Sequence, residues 1–164
     1  MKYGLAPVPG TSLYVALSGE DAISSLSFTE APDLARQCDT TFDLLAHKAA
    51  TWISEGVPFT YPVQLSGTPF QRAVYALVAT IPEGTVTTYR DIARRLGTRG
   101  YRAIGQALNK NPLLLLVPCH RVISSNGTLG GFAHGTDMKT RILRAEGVTI
   151  DDGRVAPSCI RPLP

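Results

Sequence analysis

Thr87-Thr88-Tyr89-Arg90-Asp91-Ile92-Ala93-Arg94-Arg95-Leu96-Gly97-Thr98-Arg99-Gly100-Tyr101-Arg102-Ala103-Ile104-Gly105-Gln106-Ala107-Leu108-Asn109-Lys110 is the stretch on which the fold turns. The hydroxyl of Thr88 can accept from the free N–H groups of a first helical turn, so it caps a helix from Tyr89 to Leu96, which Gly97 ends. Tyr101 to Asn109 reads as a second short helix with Ile104 and Leu108 on its inward side. Two such helices joined through Gly97-Thr98-Arg99-Gly100 have the proportions of a helix-turn-helix. Ordinary helical hairpins share these proportions, so charge decides. Arg90, Arg94, Arg95, Arg99, Arg102 and Lys110 stand against a single acid, Asp91. A basic helix pair points to an anionic partner, nucleic acid first.

The second helix is sparse in side chains. Ala103, Gly105 and Ala107 leave part of its surface nearly bare, with Arg102 beside them at the N-terminal end. Two readings stand side by side: close packing on a neighbouring helix, or a helix that enters a narrow nucleic-acid groove with Arg102 in or beside the base stack.

Downstream come Asn111-Pro112, the apolar run Leu113 to Val117, and Pro118-Cys119-His120-Arg121-Val122. The run reads as a buried strand that Pro118 breaks just before the cysteine. Adjacent side chains in extended structure point apart, so a bridging water is the expected link from the Cys119 thiol to His120. His120 can then take the thiol proton, and a carboxylate behind it would fix its tautomer and stabilise the imidazolium. Glu146, in a helix starting near Thr136, is the best candidate for that acid.

Upstream, Ser66-Gly67-Thr68-Pro69 marks a boundary, with Thr68 as N-cap and Pro69 in the first turn of a helix that runs to Ile81. Before it lie apolar stretches at Leu13–Leu17 and Ile23–Phe28 that suggest a hairpin. Phe42, Leu45, Ala46, Ala49, Trp52 and Ile53 mark an amphipathic helix over 41–55 that stops at Gly56. Tyr61 to Leu65 alternates as a third strand, with Pro62 pushing it to an edge. The tail, residues 151–164, has no periodicity and reads as irregular and mobile.

At 164 residues with 44% hydrophobic and 18% charged side chains, the chain can bury a core, which excludes global disorder. No apolar run approaches the roughly 18 residues of a membrane span, and no basic-then-apolar leader opens the chain. Residues 1–70 carry three basic and seven acidic groups, a net of −4, and residues 71–164 carry thirteen and six, a net of +7. The positive potential therefore belongs to the second half. Cys38, Cys119 and Cys159 are too few and too widely spaced for a disulfide framework or a zinc site, and are expected as free thiols in a reducing cytoplasm. Cys38 and Cys159 read as structural thiols. His47 and His134 are assigned no metal.

Taken together, these motifs resemble the O6-alkylguanine-DNA alkyltransferases, also called methylated-DNA–protein-cysteine methyltransferases. The resemblance covers roughly residues 68–148: Gly67-Thr68-Pro69-Phe70-Gln71, Val86-Thr87-Thr88-Tyr89, Arg102-Ala103-Ile104-Gly105, Asn109-Lys110-Asn111-Pro112, Pro118-Cys119-His120-Arg121-Val122 and Arg144-Ala145-Glu146-Gly147. It implies an α/β N-terminal lobe (1–67), ribonuclease-H-like, packed on a mainly helical, winged-helix-like lobe (68–150) with a helix-turn-helix, and then the tail. It also implies DNA repair by flipping O6-alkylguanine from duplex DNA and moving the alkyl group irreversibly to Cys119. O4-alkylthymine is a second candidate substrate. No cofactor or metal is implied, and the protein is expected to act as a monomer.

By the same resemblance, Cys119 is the nucleophile, His120 and Glu146 its relay, Tyr89 a donor to the flipped base, Asn111 the brace of the active-site turn and Lys139 a polarising cation. Arg102 is the finger that fills the vacated stack, and Ala103, Gly105, Gln106, Thr88 and Arg121 join it at the DNA. Leu108, Val122, Gly131, Phe132 and Ala133 form the pocket, with carbonyls of Cys119 and Val122 receiving the guanine amino group. Two departures stand out: Phe132 replaces a common tyrosine, and Thr136-Asp137-Met138 replaces a more basic helix start. Family members that bind lesions without transferring them lack the cysteine, which this chain retains. A helix-turn-helix module that recognises lesions without efficient transfer is the competing reading. A Cys-His-Glu hydrolase would need an oxyanion hole that no motif supplies, and it leaves the basic half unexplained.

Overall fold

A computed structural model describes residues 1–30 and 38–163. The chain begins with a three-stranded antiparallel sheet in the order β1 (Lys2–Pro7), β2 (Tyr14–Gly19), β3 (Ile23–Thr29). The anticipated hairpin is β2–β3, while β1 is a strand the apolar pattern did not reveal. Helix α1 (Thr40–Glu55) starts at Asp39, whose carboxylate accepts from the N–H groups of Thr41 and Phe42. It ends at Gly56, whose φ of 71° lies in the left-handed region that glycine enters without strain. Phe42, Leu45, Ala46, Ala49 and Ile53 bury its apolar stripe. Strand and helix touch at Gly4, where a Cβ would stand 1.9 Å from the Phe42 carbonyl oxygen, so only glycine admits the approach.

Helix α2 (Pro69–Val78) opens with a capping box: Thr68 accepts from the Gln71 N–H, and the Gln71 side chain accepts from the Thr68 N–H. A short strand β4 (Thr87–Thr88) leads into α3 (Tyr89–Arg95) and α4 (Tyr101–Asn109), the expected helix pair. A 3-10 turn over Cys119–Arg121 then feeds β5 (Val122–Ile123), which pairs in parallel with β4. Helix α5 (Gly135–Ala145) follows, and β6 (Ile150–Asp151) and β7 (Arg154–Val155) close the chain with a 3-10 turn at Pro157–Cys159.

Three expectations are corrected. Residues 61–65 do not form a strand; Val63 alone bridges Ile23, since Pro62 has no N–H to give and serves only as acceptor for the Ile23 N–H at 2.8 Å. The run Leu113–Val117 is not a strand either. Leu113 bridges Leu26, but Asn111 then accepts from the Leu113 N–H at 3.0 Å and donates to the Val117 carbonyl at 2.8 Å, pinning both ends of the run into a loop. Leu115 takes a φ of 70° at the bend. The tail is also structured: Asp152 and Gly153 adopt the positive φ that a two-residue hairpin needs between β6 and β7. Ile160 beyond it bridges Val86.

The main core runs from the sheet and α1 through α2, α3 and α4 to Cys119, Val122, Met138 and Ile142, so it crosses the junction at residues 67–68. A second cluster gathers Val86, Ile123, Leu129, Leu143, Val148, Ile150 and Val155, with Cys159 and Ile160 packed on it. Cys38, expected as a structural thiol, is exposed. Among the described residues, no helix is long and apolar enough to cross a membrane.

Candidate active site and nucleic-acid interface

Helices α3 and α4 pack together, with Ile92, Ala93, Ile104, Ala107 and Leu108 buried in the main core, and the Tyr75 hydroxyl anchors α4 by donating to the Ala107 carbonyl at 2.9 Å. The sparse surface of α4 therefore divides. Ala107 packs inward, whereas Ala103, Gln106 and Arg102 are exposed, and a Cβ on Gly105 would meet nothing within 4 Å. The bare stretch faces open space rather than a neighbouring helix. A cleft of about 590 Å³ lies against it, lined by Tyr89, Arg90, Tyr101, Arg102, Gly105, Ser124, Ser125, Gly130 and Gly131.

Tyr89 and Gly131 also belong to a smaller inner pocket of about 80 Å³, which holds Cys119, Asn111, Leu108, Phe132 and Ala133. Ser27 of β3, Asn109, Leu114 and His134 complete its wall. The N-terminal half thus supplies one side of the pocket. Ser27 carries no sequence signal beyond strand alternation, which turns it away from its buried neighbours Leu26 and Phe28.

Cys119 is buried at the start of its 3-10 turn, and its Sγ accepts from Asn111 Nδ2 at 3.3 Å. The same Asn111 amide pins the preceding loop, so one side chain sets both the loop and the sulfur. Burial pushes the Cys119 thiol up; the Asn111 hydrogen bond and the Lys139 charge pull it down without cancelling that effect. The resting group is a thiol. Tyr89 is raised by burial and by Cys119, so it too keeps its proton.

Behind the cysteine lies a buried polar cluster. Glu146, the C-cap of α5, accepts from His120 Nε2 at 3.0 Å and Trp52 Nε1 at 2.9 Å through Oε1. Arg121 adds Nε to Oε2 at 2.8 Å and an Nη2 contact to Oε1 at 2.7 Å. Burial alone would raise this carboxyl, but the hydrogen bonds from His120 and Arg121 outweigh it and hold Glu146 at about 2. As an ionised carboxylate can only accept, His120 Nε2 must carry hydrogen, which leaves Nδ1 as the basic ring atom. Burial keeps His120 below the ordinary imidazole range, against the pull of Glu146, so the ring is neutral and able to take a proton.

Lys139 is fully buried, with Nζ donating to the carbonyls of Val122 and Leu129 at 2.7 and 2.6 Å. Burial brings it down to about 8, while Cys119 opposes the fall. It ties α5 to β5 and to the loop that forms the pocket lip, where His134 meets Phe28 and Phe132 edge-on.

Three expected site residues are placed differently. Arg121 is not at a DNA-facing surface: its guanidinium is buried between Glu146, the Ile81 carbonyl and the Trp52 ring, because the Glu146 carboxylate requires a paired cation. Thr88 is buried, and its hydroxyl caps α3 by accepting from the Asp91 N–H and donating to Asp91 Oδ2. Val122 lies in the core outside the pocket lining, its carbonyl already accepting from Lys139. Trp52 was legible only as a core residue of α1; nothing local signals that its indole N–H reaches a carboxylate 94 residues away.

A buried cysteine with a histidine–glutamate pair behind it, opening beside a basic helix-turn-helix, defines a thiol-nucleophile protein built to act at nucleic acid. Residues 69–148 match the family model described as "6-O-methylguanine DNA methyltransferase, DNA binding domain". The methylated-DNA–protein-cysteine methyltransferase of Saccharolobus solfataricus is 40% identical over 152 residues, covering 92% of this chain and 98% of that protein. Its counterpart in Sulfolobus acidocaldarius is 39% identical over 150 residues, covering 91% and 95%. The Mycobacterium tuberculosis OGT crystallised in complex with DNA superposes with a TM-score of 0.77 at 28% identity, covering 89% of this chain and 92% of that one. The chain belongs to the methylated-DNA–protein-cysteine methyltransferase family.

Proposed function

We propose that this protein repairs alkylated DNA by moving the alkyl group of O6-alkylguanine onto Cys119, once per molecule. The observation that carries the reading is the Cys119 sulfur in a pocket that shares Tyr89 and Gly131 with the cleft along α4. The basic helix pair would bind the phosphates, and Arg102 would fill the stack as the damaged base swings into the pocket. On α4, Arg102, Ala103, Gly105 and Gln106 are among the groups open to DNA.

In the reaction, the Cys119 proton passes through water to His120 Nδ1, and Glu146 stabilises the imidazolium. The thiolate, held by Asn111, attacks the alkyl carbon in line. The carbon–oxygen bond breaks with its electron pair going to O6, Tyr89 gives its proton to the purine, and the proton held by His120 returns through solvent to the Tyr89 oxygen, so that both groups end as they began. A thioether and an unmodified guanine result. No neighbouring group can hydrolyse a thioether, so the protein is consumed. O4-alkylthymine presents the same carbon–oxygen bond and is a second substrate of this reading.

We take 1–67 as a ribonuclease-H-like unit and 68–150 as a winged-helix-like unit; the antiparallel sheet backed by α1 supports the first, the helix pair with the β4–β5 ladder the second. Three free cysteines suit a cytoplasmic setting. The test is incubation with a duplex containing O6-methylguanine, followed by peptide mass spectrometry. One methyl equivalent on Cys119, with Cys38 and Cys159 unmodified, is the expected result. Binding without an adduct would favour the lesion-recognition module, and turnover beyond one equivalent would overturn the single-use mechanism.

A further inference from the structure

Tyr101 is out of place on the surface it occupies. It is the first residue of α4, it is 48% exposed, and its ring lines the 590 Å³ cleft with Tyr89 and Arg102. The other large exposed apolar side chains, Met1, Leu44, Val57, Val63 and Phe70, do not line this cleft. Only its backbone is engaged, through the N–H to the Arg99 carbonyl at 2.9 Å; the hydroxyl has no partner among the described residues. The position carries no folding role that would require an aromatic ring: the buried residues of α4 are Ile104, Ala107 and Leu108.

Geometry gives the ring a use. Side chains on a helix lean toward its N-terminus, so Tyr101 projects from the leading end of α4 beside Arg102, and Gly105 one turn later leaves the helix surface uncovered. A helix that approaches a duplex along its bare stretch brings both side chains to the base stack at once. Arg102 brings charge and hydrogen bonds but little apolar face, whereas Tyr101 brings a flat ring of the kind that wedges between or against bases in a minor groove. Extruding one nucleotide takes the pairing partner from the opposite base, which keeps its neighbours in its own strand but is free to tilt and admit a flat ring against its face.

We infer that Tyr101 is a second wedge, a positioning residue whose ring stacks on the partner base left behind when the damaged nucleotide is extruded. This rests on the base-extrusion reading above. It divides the work at the opened site: Arg102 serves the strand that loses its base, and Tyr101 serves the opposite strand. A single stranded substrate has no partner base, so it needs the first and not the second.

The experiment compares wild type, Tyr101→Ala and Tyr101→Phe on one oligonucleotide carrying O6-methylguanine, alone and annealed to its complement, by single-turnover adduct formation. Tyr101→Ala should lower the ratio of duplex to single-strand rate by about tenfold, the fold-change of one lost base–aromatic stack. Tyr101→Phe should restore it. A second arm places 2-aminopurine opposite the lesion: wild type and Tyr101→Phe should quench its emission on binding, and Tyr101→Ala should leave it bright. An unchanged rate ratio, equal losses on both substrates, or 2-aminopurine emission indifferent to the substitution would overturn the assignment. Wild type that binds but forms no adduct would instead strike at the alkyl-transfer reading, and the 2-aminopurine arm would still decide the place of the ring.

Discussion

Replacing Arg121 by leucine separates two accounts of one residue. From its neighbourhood in the chain it belongs with the basic surface that meets DNA; in the fold it is a buried counter-ion. The guanidinium gives two hydrogen bonds to Glu146, at 2.8 and 2.7 Å, and one to the Ile81 carbonyl at 2.7 Å, and it lies 5.9 Å from the centre of the Trp52 ring. Leucine keeps apolar volume but leaves an ionised carboxylate with only His120 and Trp52. Breaking a buried pair by removing one partner costs about 3–5 kcal/mol. For a chain of this size each kcal/mol moves Tm by about 2–4 °C, so a fall of roughly 6–20 °C is expected. Thermal melts followed by circular dichroism measure it, beside the salt dependence of duplex binding well below the melting range. If Arg121 instead touched a phosphate, Tm would hold and the slope of log affinity against log salt would weaken by about one. That outcome would refute the buried-pair argument. Arg121→Lys should recover only part of the loss, since an ammonium cannot reproduce the two-pronged contact.

Other consequences follow from the same geometry. His120→Ala should slow adduct formation by about 10²–10⁴-fold with little change in duplex binding, measured by single-turnover kinetics and anisotropy; a normal rate would remove the relay. Arg102→Ala should slow transfer from duplex far more than from free O6-benzylguanine, and equal losses with a lowered Tm would make it a scaffold residue. Because Glu146 is held at about 2 against an ordinary 4.5, its pairing stabilises the fold fully above about pH 4.5 and loses that effect as pH falls toward 2. The stability gap between wild type and Glu146→Gln, from urea unfolding, should therefore narrow through that window, and a gap independent of pH would count against it.

Much of the molecule could be read from local chemistry. The caps at Thr68 and Thr88, the stripe of α1, the stop at Gly56 and the helix pair all depend on residues within a few positions of one another, so periodicity and capping disclose them. Cys119 and His120 stand adjacent, and Asn111 is near enough for a motif to include it. The Asp152-Gly153 turn is equally local, but the strands around it are only two residues long, too short for any alternation to show.

The chain by itself determined a small α/β region, a basic helix pair and a cysteine–histidine turn, because each is written in the preferences of neighbouring residues. Only tertiary structure decided what surrounds them. It brought Trp52 from α1 and Arg121 from beside the cysteine onto one Glu146 carboxylate, turned Arg121 from a surface charge into a buried partner, and set Ser27 in the pocket wall. It also bent Leu113–Val117 into a loop, since the Asn111 side chain satisfies backbone groups at both ends that a strand would have paired elsewhere. The physical reason is common to all of these. A buried charge or an unpaired backbone group must find its partner in space, and the cost of leaving it alone is set by the packed interior rather than by any preference legible along the chain.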